Sequence, residues 1–386
     1  MNIDDVKTVA MIGAGDMGHG IAEVALLGGY NVNLYDIKEE FVEKGKSRIF
    51  ASLDKLLEKG KVKAEHDQAI RSKLLKTTTD LDEAVGNADL VIEAVPENMD
   101  LKKKVFGDLD KHAPKHTLFA SNTSTMSISE IAEATSRPDK VLGLHYFNPA
   151  VLMRLVEVIR ADKTSDETIQ IGMAYVEKIK KLPVLVKKDS PGFIANRVNQ
   201  APAVLFMEIA ERGEIEPEAL DAFMRLIGSA MGPYELTDYV GVDVAVDVSR
   251  YFAKTLDPEY GPAPHLVKMM EAGKLGKKSG QGYFEWPDGQ RPKIDLAKAT
   301  NKFSFFWPVF VQINEATKLI QEGVVDTLND VDLALINSSG NPMGPINLGR
   351  SISKWDLTDG LNMLAAKYDK EIFKPTRRVL EGGHKI

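Results

Sequence analysis

Apolar residues come in short runs along the first half of the chain. Val9 to Ile12 forms one such run, and a glycine cluster follows it at once. Ile21, Ala22, Val24 and Ala25 then recur at helical spacing until Gly28 and Gly29 interrupt them. The stretches "YNVNLYD", "ADLVIEAVPE", "HTLFASNTS", "KVLGLHYFNP" and "RLVEVI" read as further buried strands. Amphipathic segments such as "KEEFVEKGKSRIFASLDKLLEKGK" separate them. This alternation predicts an α/β domain of the Rossmann type, doubly wound around a mostly parallel sheet.

Beyond "LPVLVKKDSPGF" the period turns helical. "NRVNQAPAVLFMEIAERG" opens an all-α region that runs to "GKLGKKSGQGYFEW", and "PDGQRPKID" reads as a linker because of its prolines, glycine and charges. The helical pattern then recurs. "EIAERGEIEPEALDAFMRLIGSAMGP" has a counterpart in "KLIQEGVVDTLNDVDLALINSSGNPMGP", and "PAPHLVKMMEAGK" in "KPTRRVLEGGHK". An all-α domain present in two copies is therefore expected. The expected boundaries are 1–187, 188–290 and 291–386. Setting Gly213 against Gly323 puts Phe306 where Asn196 stands, so the second copy reads as structural. The aromatic "FSFFWPVF" suits either a contact between the copies or ordinary core.

Three features of the first half carry chemistry. Gly13, Gly15 and Gly18 stand in G-x-G-x-x-G spacing between a strand and a helix. Glycine permits the tight turn and lets the backbone approach a pyrophosphate at the helix N-terminus. Asp36 closes the next strand at the distance expected of a ribose-binding acid, which favours NAD over NADP because a carboxylate repels a 2′-phosphate. Next, Glu97, Ser124, His145 and Asn148 all lie just past apolar runs, where a ligand at the carboxyl ends of parallel strands is reached. Finally, Glu157 sits inside the apolar "RLVEVI", where an unpaired carboxylate is costly. Pairing with His145 satisfies both groups and gives a base held by an orienting acid. That pairing requires the two side chains to share one face. Arg154 between them reads as surface.

Composition narrows the classes. The chain has no cysteine, which excludes disulfides and thiolate chemistry, and seven histidines without a zinc-type pair give a metal site little support. A net charge of -7 argues against a nucleic-acid partner. No run is long and apolar enough for a membrane span, and "MNIDDVKTVAMIGAG" enters a strand without a signal-peptide pattern, so a cytoplasmic location is expected. Among the histidines, His66, His112 and His116 sit in charged surroundings, His265 and His384 in polar C-terminal stretches, and His19 beside the glycine turn.

The stretches "GAGDMGHGIA", "AVPENMDLKKKVF", "FASNTSTMSI", "GLHYFNP", "LVEVI", "DSPGFIANRV" and "GKLGKKSGQGYFEW" together resemble the L-3-hydroxyacyl-CoA dehydrogenase family, in its order and over roughly residues 5 to 286. The resemblance implies oxidation of a (3S)-3-hydroxyacyl-CoA to the 3-ketoacyl-CoA with NAD, in fatty-acid metabolism, with short acyl chains such as 3-hydroxybutyryl the expected substrates. It implies His145 as general base, Glu157 as its orienter, and Ser124 and Asn196 as substrate contacts. Gly13, Ala14, Gly15, Asp16, Met17, Gly18 and Asp36 hold the adenine half of NAD on this reading. Glu97, Lys102, Ser124 and Asn148 contact the nicotinamide side, and Lys278 reaches the cofactor from the helical domain. Ser52, Lys59 and Ser124 match positions that touch CoA; spacing alone says only that Ser52 and Lys59 share a helix face, as a solvated surface also does. The family's homodimer is either kept or replaced by the tandem copy as a monomeric pseudo-dimer. Fusion or pairing with an enoyl-CoA hydratase is a further expectation. The rival readings are another 3-hydroxyacid-type dehydrogenase and a non-catalytic NAD-binding protein on the same scaffold.

Overall fold

The computed structural model describes residues 2–339 and 343–385. Gly340, Asn341 and Pro342, inside the "SSGNPMGP" stretch on which the expected repeat leans, lie outside the described residues, as do Met1 and Ile386. The described chain forms two compact units, 2–194 with 323–326 and 333–339, and 195–322 with 327–332 and 343–385.

The first unit is built on eight strands: β1 Thr8–Ile12, β2 Asn31–Tyr35, β3 Leu75–Thr78, β4 Leu90–Glu93, β5 Leu118–Ser121, β6 Val141–Tyr146, β7 Leu155–Arg160 and β8 Leu182–Val186. Their order is β3-β2-β1-β4-β5-β6-β7-β8. Every residue of β1, β4, β5 and β6 is buried, which is why these segments read as continuous apolar runs. All pairings are parallel except β6 with β7. Only the residues 147–154 join β6 to β7, too short a connection for a parallel crossover. The edge strand β3, with sequence "LKTT", escapes a reading based on apolar runs because none of its residues is buried.

The helix Gly18–Leu27 lies against this sheet and buries Ile21, Ala22, Val24, Ala25 and Leu26. Such all-round burial leaves Glu23 in the core at 1% exposure. Burial pushes its carboxyl up to about 7, against a hydrogen bond from Ser52 and the nearby Lys181.

The second unit is helical. Its elements run Ala195–Glu211, Pro217–Leu226, Pro233–Val240, Val242–Thr255, a 3-10 turn Pro258–Tyr260 and Pro264–Glu271. From Phe306–Gln321 the same succession returns: Leu328–Ser339, of which 333–339 count with the first unit, then Pro345–Gly349, Lys354–Tyr368, a 3-10 turn Glu371–Phe373 and Arg377–Leu380. Asp221 accepts hydrogen bonds from the N–H groups of Tyr234 and Glu235, the first turn of Pro233–Val240. Asp332 does the same for Ile346 and Asn347, the first turn of Pro345–Gly349. Each acid satisfies two donors that a helix start leaves open. Arg197, at 1% exposure, joins Ala195–Glu211 to the region of Phe306–Gln321 through Glu315 at 2.8 Å and a two-pronged pair with Glu322. His384 sits in this core at 0% exposure, bonded to the Ile352 carbonyl, so its polar-looking neighbourhood does not keep it in solvent. Among the described residues no helix is long and apolar enough to cross a membrane.

Candidate active site

A cavity of about 990 Å³ opens across the carboxyl ends of β2, β1, β4, β5 and β6. Four strand spacings of about 4.8 Å separate β2 from β6, so the cleft is extended along the sheet rather than round. Asp36, Ile37 and Arg48 line it beside β2, and Glu97, Ser124, His145 and Asn148 line it beside β4, β5 and β6.

The glycine turn sits at its middle. Gly13 has φ +101°, and a Cβ there would meet the Ala94 carbonyl oxygen at 2.8 Å. At Gly18 a Cβ would fall 1.8 Å from the Gly13 carbonyl oxygen, so the turn closes only without side chains at both places. Around Gly15 there is open space, which leaves the backbone accessible to a ligand. The Asp36 carboxylate accepts from the Ala14 N–H at 2.8 Å and from Ile37 N–H, which fixes it at the cleft wall. Asp16 is exposed and pairs with Arg48 at 2.6 Å. An extended cleft, an open glycine turn at a helix start and an acid at the β2 end fit a dinucleotide with its adenosine beside Asp36.

At the other end the predicted residues are tied to one another. The Glu97 carboxylate accepts from the Ser124 N–H at 2.7 Å, the Ser124 hydroxyl at 3.0 Å and the Thr123 hydroxyl at 2.9 Å. Lys102 lies 3.2 Å from Glu97 and 2.8 Å from Glu93, with Lys102 and Glu93 both fully buried. Burial works to raise the Glu97 carboxyl, but Lys102 and the Ser124 and Thr123 bonds outweigh it and hold it below the usual range.

β6 and β7 place His145 directly opposite Glu157 in their antiparallel register. Residues opposite each other project to the same face, so the pairing follows from the register alone. The His145 Nδ1 stands 2.7 Å from the Glu157 carboxylate, and the second Glu157 oxygen accepts from the Ile194 N–H at 3.1 Å. Both side chains are nearly inaccessible, and the Phe147 and Phe193 rings flank the imidazole. With Nδ1–H donated to Glu157, Nε2 is the nitrogen available to a substrate hydroxyl.

Other expected residues are placed separately. Asn148 lines the cavity beside His145. Ser52 is half-buried and donates to Glu23, and exposed Lys59 caps the C-terminal end of Glu39–Glu58. In the helical unit, Asn196 lies in the first turn of Ala195–Glu211, and Lys278 pairs with Asp243. Arg154 is exposed. The sequence reading passed over Glu93, Asn122, Lys44 and Arg48. Asn122 also lines the cavity, and its side-chain oxygen takes the Tyr146 N–H, which steadies the end of β6. Glu93 had a signal: an acid inside the apolar "LVIE" is the same anomaly that singled out Glu157. Among the described residues no cluster of three or more His, Cys, Asp or Glu side chains could hold a metal ion.

Comparison with known proteins identifies the family. Residues 8–190 match the family model "3-hydroxyacyl-CoA dehydrogenase, NAD binding domain", and residues 192–286 match "3-hydroxyacyl-CoA dehydrogenase, C-terminal domain". A probable 3-hydroxybutyryl-CoA dehydrogenase of Bacillus subtilis is 40% identical over 286 residues, 74% of this chain and 99% of that protein. The crystal structure of 3-hydroxybutyryl-CoA dehydrogenase from Escherichia coli K12 superposes with a TM-score of 0.88, covering 98% of both chains at 29% identity. A glyoxysomal fatty acid beta-oxidation multifunctional protein of Brassica napus is 32% identical over 407 residues, 98% of this chain and 55% of that protein. The chain belongs to the 3-hydroxyacyl-CoA dehydrogenase family and is an NAD-dependent oxidoreductase of 3-hydroxyacyl-CoA substrates.

Proposed function

We propose that His145 and Glu157 form the acid–base dyad of this dehydrogenase, acting on short-chain (3S)-3-hydroxyacyl-CoA with 3-hydroxybutyryl-CoA as the preferred substrate. The observation that carries the reading is the 2.7 Å contact between His145 Nδ1 and the buried Glu157 carboxylate, at the wall of the cleft. NAD, when bound, accepts the hydride leaving substrate C3. His145 Nε2 takes the hydroxyl proton as that hydride departs, and Glu157 stabilises the imidazolium that forms. In the reverse direction the imidazolium returns its proton to the alkoxide oxygen. Glu97 holds Ser124 with its hydroxyl at the cleft, where it positions the substrate oxygen. Asn148 and Lys102 support the nicotinamide side, and Asp36 with the Gly13 to Gly18 turn supports the adenosine side.

Asn196 as a substrate contact, Lys278 as a cofactor contact, and Ser52 and Lys59 as CoA contacts rest on their match to the family pattern. Short acyl chains are supported by the relatives named for 3-hydroxybutyryl-CoA. Two copies of the helical domain, bounded near 188–290 and 291–386 after a cofactor domain of 1–187, are supported by the matched element order. The paired roles of Asp221 and Asp332 point the same way. On this reading the second copy takes the place of a dimer partner, and the chain is a monomeric pseudo-dimer. The likeness to a multifunctional β-oxidation protein supports functional pairing with an enoyl-CoA hydratase.

The test follows NADH oxidation with acetoacetyl-CoA and longer 3-ketoacyl-CoA thioesters. His145→Gln keeps a donor for Glu157 but removes the base. Wild type is expected to turn over the short substrate most efficiently, and the variant to lose activity with its fold retained. Full activity in the variant overturns the dyad.

A further inference from the structure

The nicotinamide end of the cleft carries charges that the dyad does not use. Glu93 closes β4 at 0% exposure, beneath the cleft and not on its wall. One of its oxygens accepts from Lys102 at 2.8 Å and from the Val95 N–H at 2.6 Å, and the other accepts from the Ser121 hydroxyl at 2.6 Å. Lys102 in turn reaches Glu97 at 3.2 Å. The chain of contacts therefore holds two carboxylates around a single ammonium. A neutral buried pair would have satisfied the lysine; the extra carboxylate leaves one net negative charge facing the β4 and β5 end of the cleft.

Neighbouring charges do not cancel it. The His145–Glu157 pair adds a second negative charge whenever the imidazole is neutral. Lys44, Lys104 and Asp108 also line the cleft, but the two lysines are exposed, where solvent and salt screen them, and Asp108 is paired with Lys111. Arg48 is paired with Asp16 toward the β2 side.

We propose that Glu93 is a charge-setting residue for the cofactor: the Ser121–Glu93–Lys102–Glu97 chain gives the nicotinamide end a net negative charge that favours the cationic ring of NAD+ over the neutral ring of NADH. This rests on the orientation given above, with adenosine beside Asp36 and nicotinamide beside Glu97. The hydride changes the ring from cation to neutral while His145 gains a proton, so a fixed negative charge favours the oxidised cofactor before the step and the imidazolium after it. Glu93 does this without touching the ring, by holding Lys102 half-committed between two carboxylates.

Glu93→Gln tests it. The amide oxygen can replace the oxygen that serves Lys102 and Val95, and its NH2 can donate to the Ser121 hydroxyl, so shape and contacts survive while the charge goes. Calorimetric titration of the full chain with NAD+ and with NADH gives two dissociation constants and needs no turnover. The preference for NAD+, read as Kd for NADH over Kd for NAD+, is expected to fall roughly three- to tenfold, the scale of one unit charge acting through a protein interior. A merely structural role would weaken both nucleotides alike, and an unchanged ratio overturns the inference. If Glu93→Gln does not fold, Glu97→Gln removes one charge from the same chain at a more exposed position. The same fall is expected there, and an unchanged ratio again overturns the inference. His145→Gln is expected to lower turnover sharply while keeping the preference, which separates this inference from the dyad. A wild-type chain that binds neither nucleotide would overturn the cofactor orientation and this inference together.

Discussion

Two buried ionic clusters invite comparison. At the sheet, Glu93 and Lys102 pair beneath the cleft, and His145 pairs with Glu157 at its wall. In the helical unit, Arg197 is as deeply buried and as fully paired, with Glu315 and Glu322, while Tyr260 and Lys318 complete the Glu315 carboxylate. Burial and pairing are alike in the two places. What differs is that the sheet cluster reaches a cavity through His145, Lys102 and Glu97, whereas the Arg197 cluster lies outside it. Buried charge is thus no sign of chemistry by itself. It becomes one where a member of the cluster opens onto space a ligand can fill.

That contrast can be broken by experiment. The largest effect is expected at His145. His145→Gln should lower kcat by roughly 10²–10⁴-fold, the usual worth of a general base, while the melting temperature stays near wild type. Arg197→Met should do the reverse. It takes the guanidinium away from the equally buried Glu315, and removing one member of a buried ion pair costs about 3–5 kcal/mol, or on the order of 10 °C by thermal melting. If Arg197→Met instead spares stability and abolishes turnover, the comparison fails.

A smaller effect is expected at Glu23, a buried carboxyl with one hydroxyl donor and no full counter-charge contact. Its folded-state value of about 7 stands above the ordinary 4.5. The folded protein therefore holds this proton more tightly than the unfolded chain. Stability from this group is fully present below about pH 4.5 and declines as the pH rises through about 7. The loss is on the order of 1–3 kcal/mol. Glu23→Gln should flatten that decline, with melts at pH 5 and pH 8 as the measurement. An undiminished pH dependence in the variant would show that other groups cause it. The smallest effect is expected from Phe306→Asn, which on the proposed two-copy reading places an asparagine at the counterpart of Asn196. Phe306 is 44% exposed and stacks on Phe310. Catalytic efficiency should stay within about twofold of wild type, because this position in the second copy is read as structural. A gain in efficiency would mean that this part of the helical unit takes part in turnover.

The sequence foretold much of the sheet because its central strands are buried on both faces and stand out as apolar runs. β3 was missed for the opposite reason, since an edge strand with half-wet residues leaves no such run. Apolar runs do not reveal the reversal of β7 either, although the short loop before it already excludes a parallel crossover. At the site, His145 and Glu157 were legible as polar residues in apolar strands. Glu93 carried the same mark and was passed over because no partner for it stood in a neighbouring strand. Its partner Lys102 comes from the helix Met99–His112, a contact that no strand pattern reveals.

By itself, the sequence determined the alternating fold, the glycine turn with Asp36, and which polar residues had to find buried partners. Those follow from local sterics and from the cost of burying an unpaired charge. Only the tertiary structure decided which partners they found. The β6–β7 register set His145 against Glu157, and the packing of a helix beside β4 set one ammonium between Glu93 and Glu97. Such pairings depend on how elements distant in sequence are brought together. Periodicity along the chain fixes each element's own faces, but not the side chain that a neighbouring element will bring to meet them.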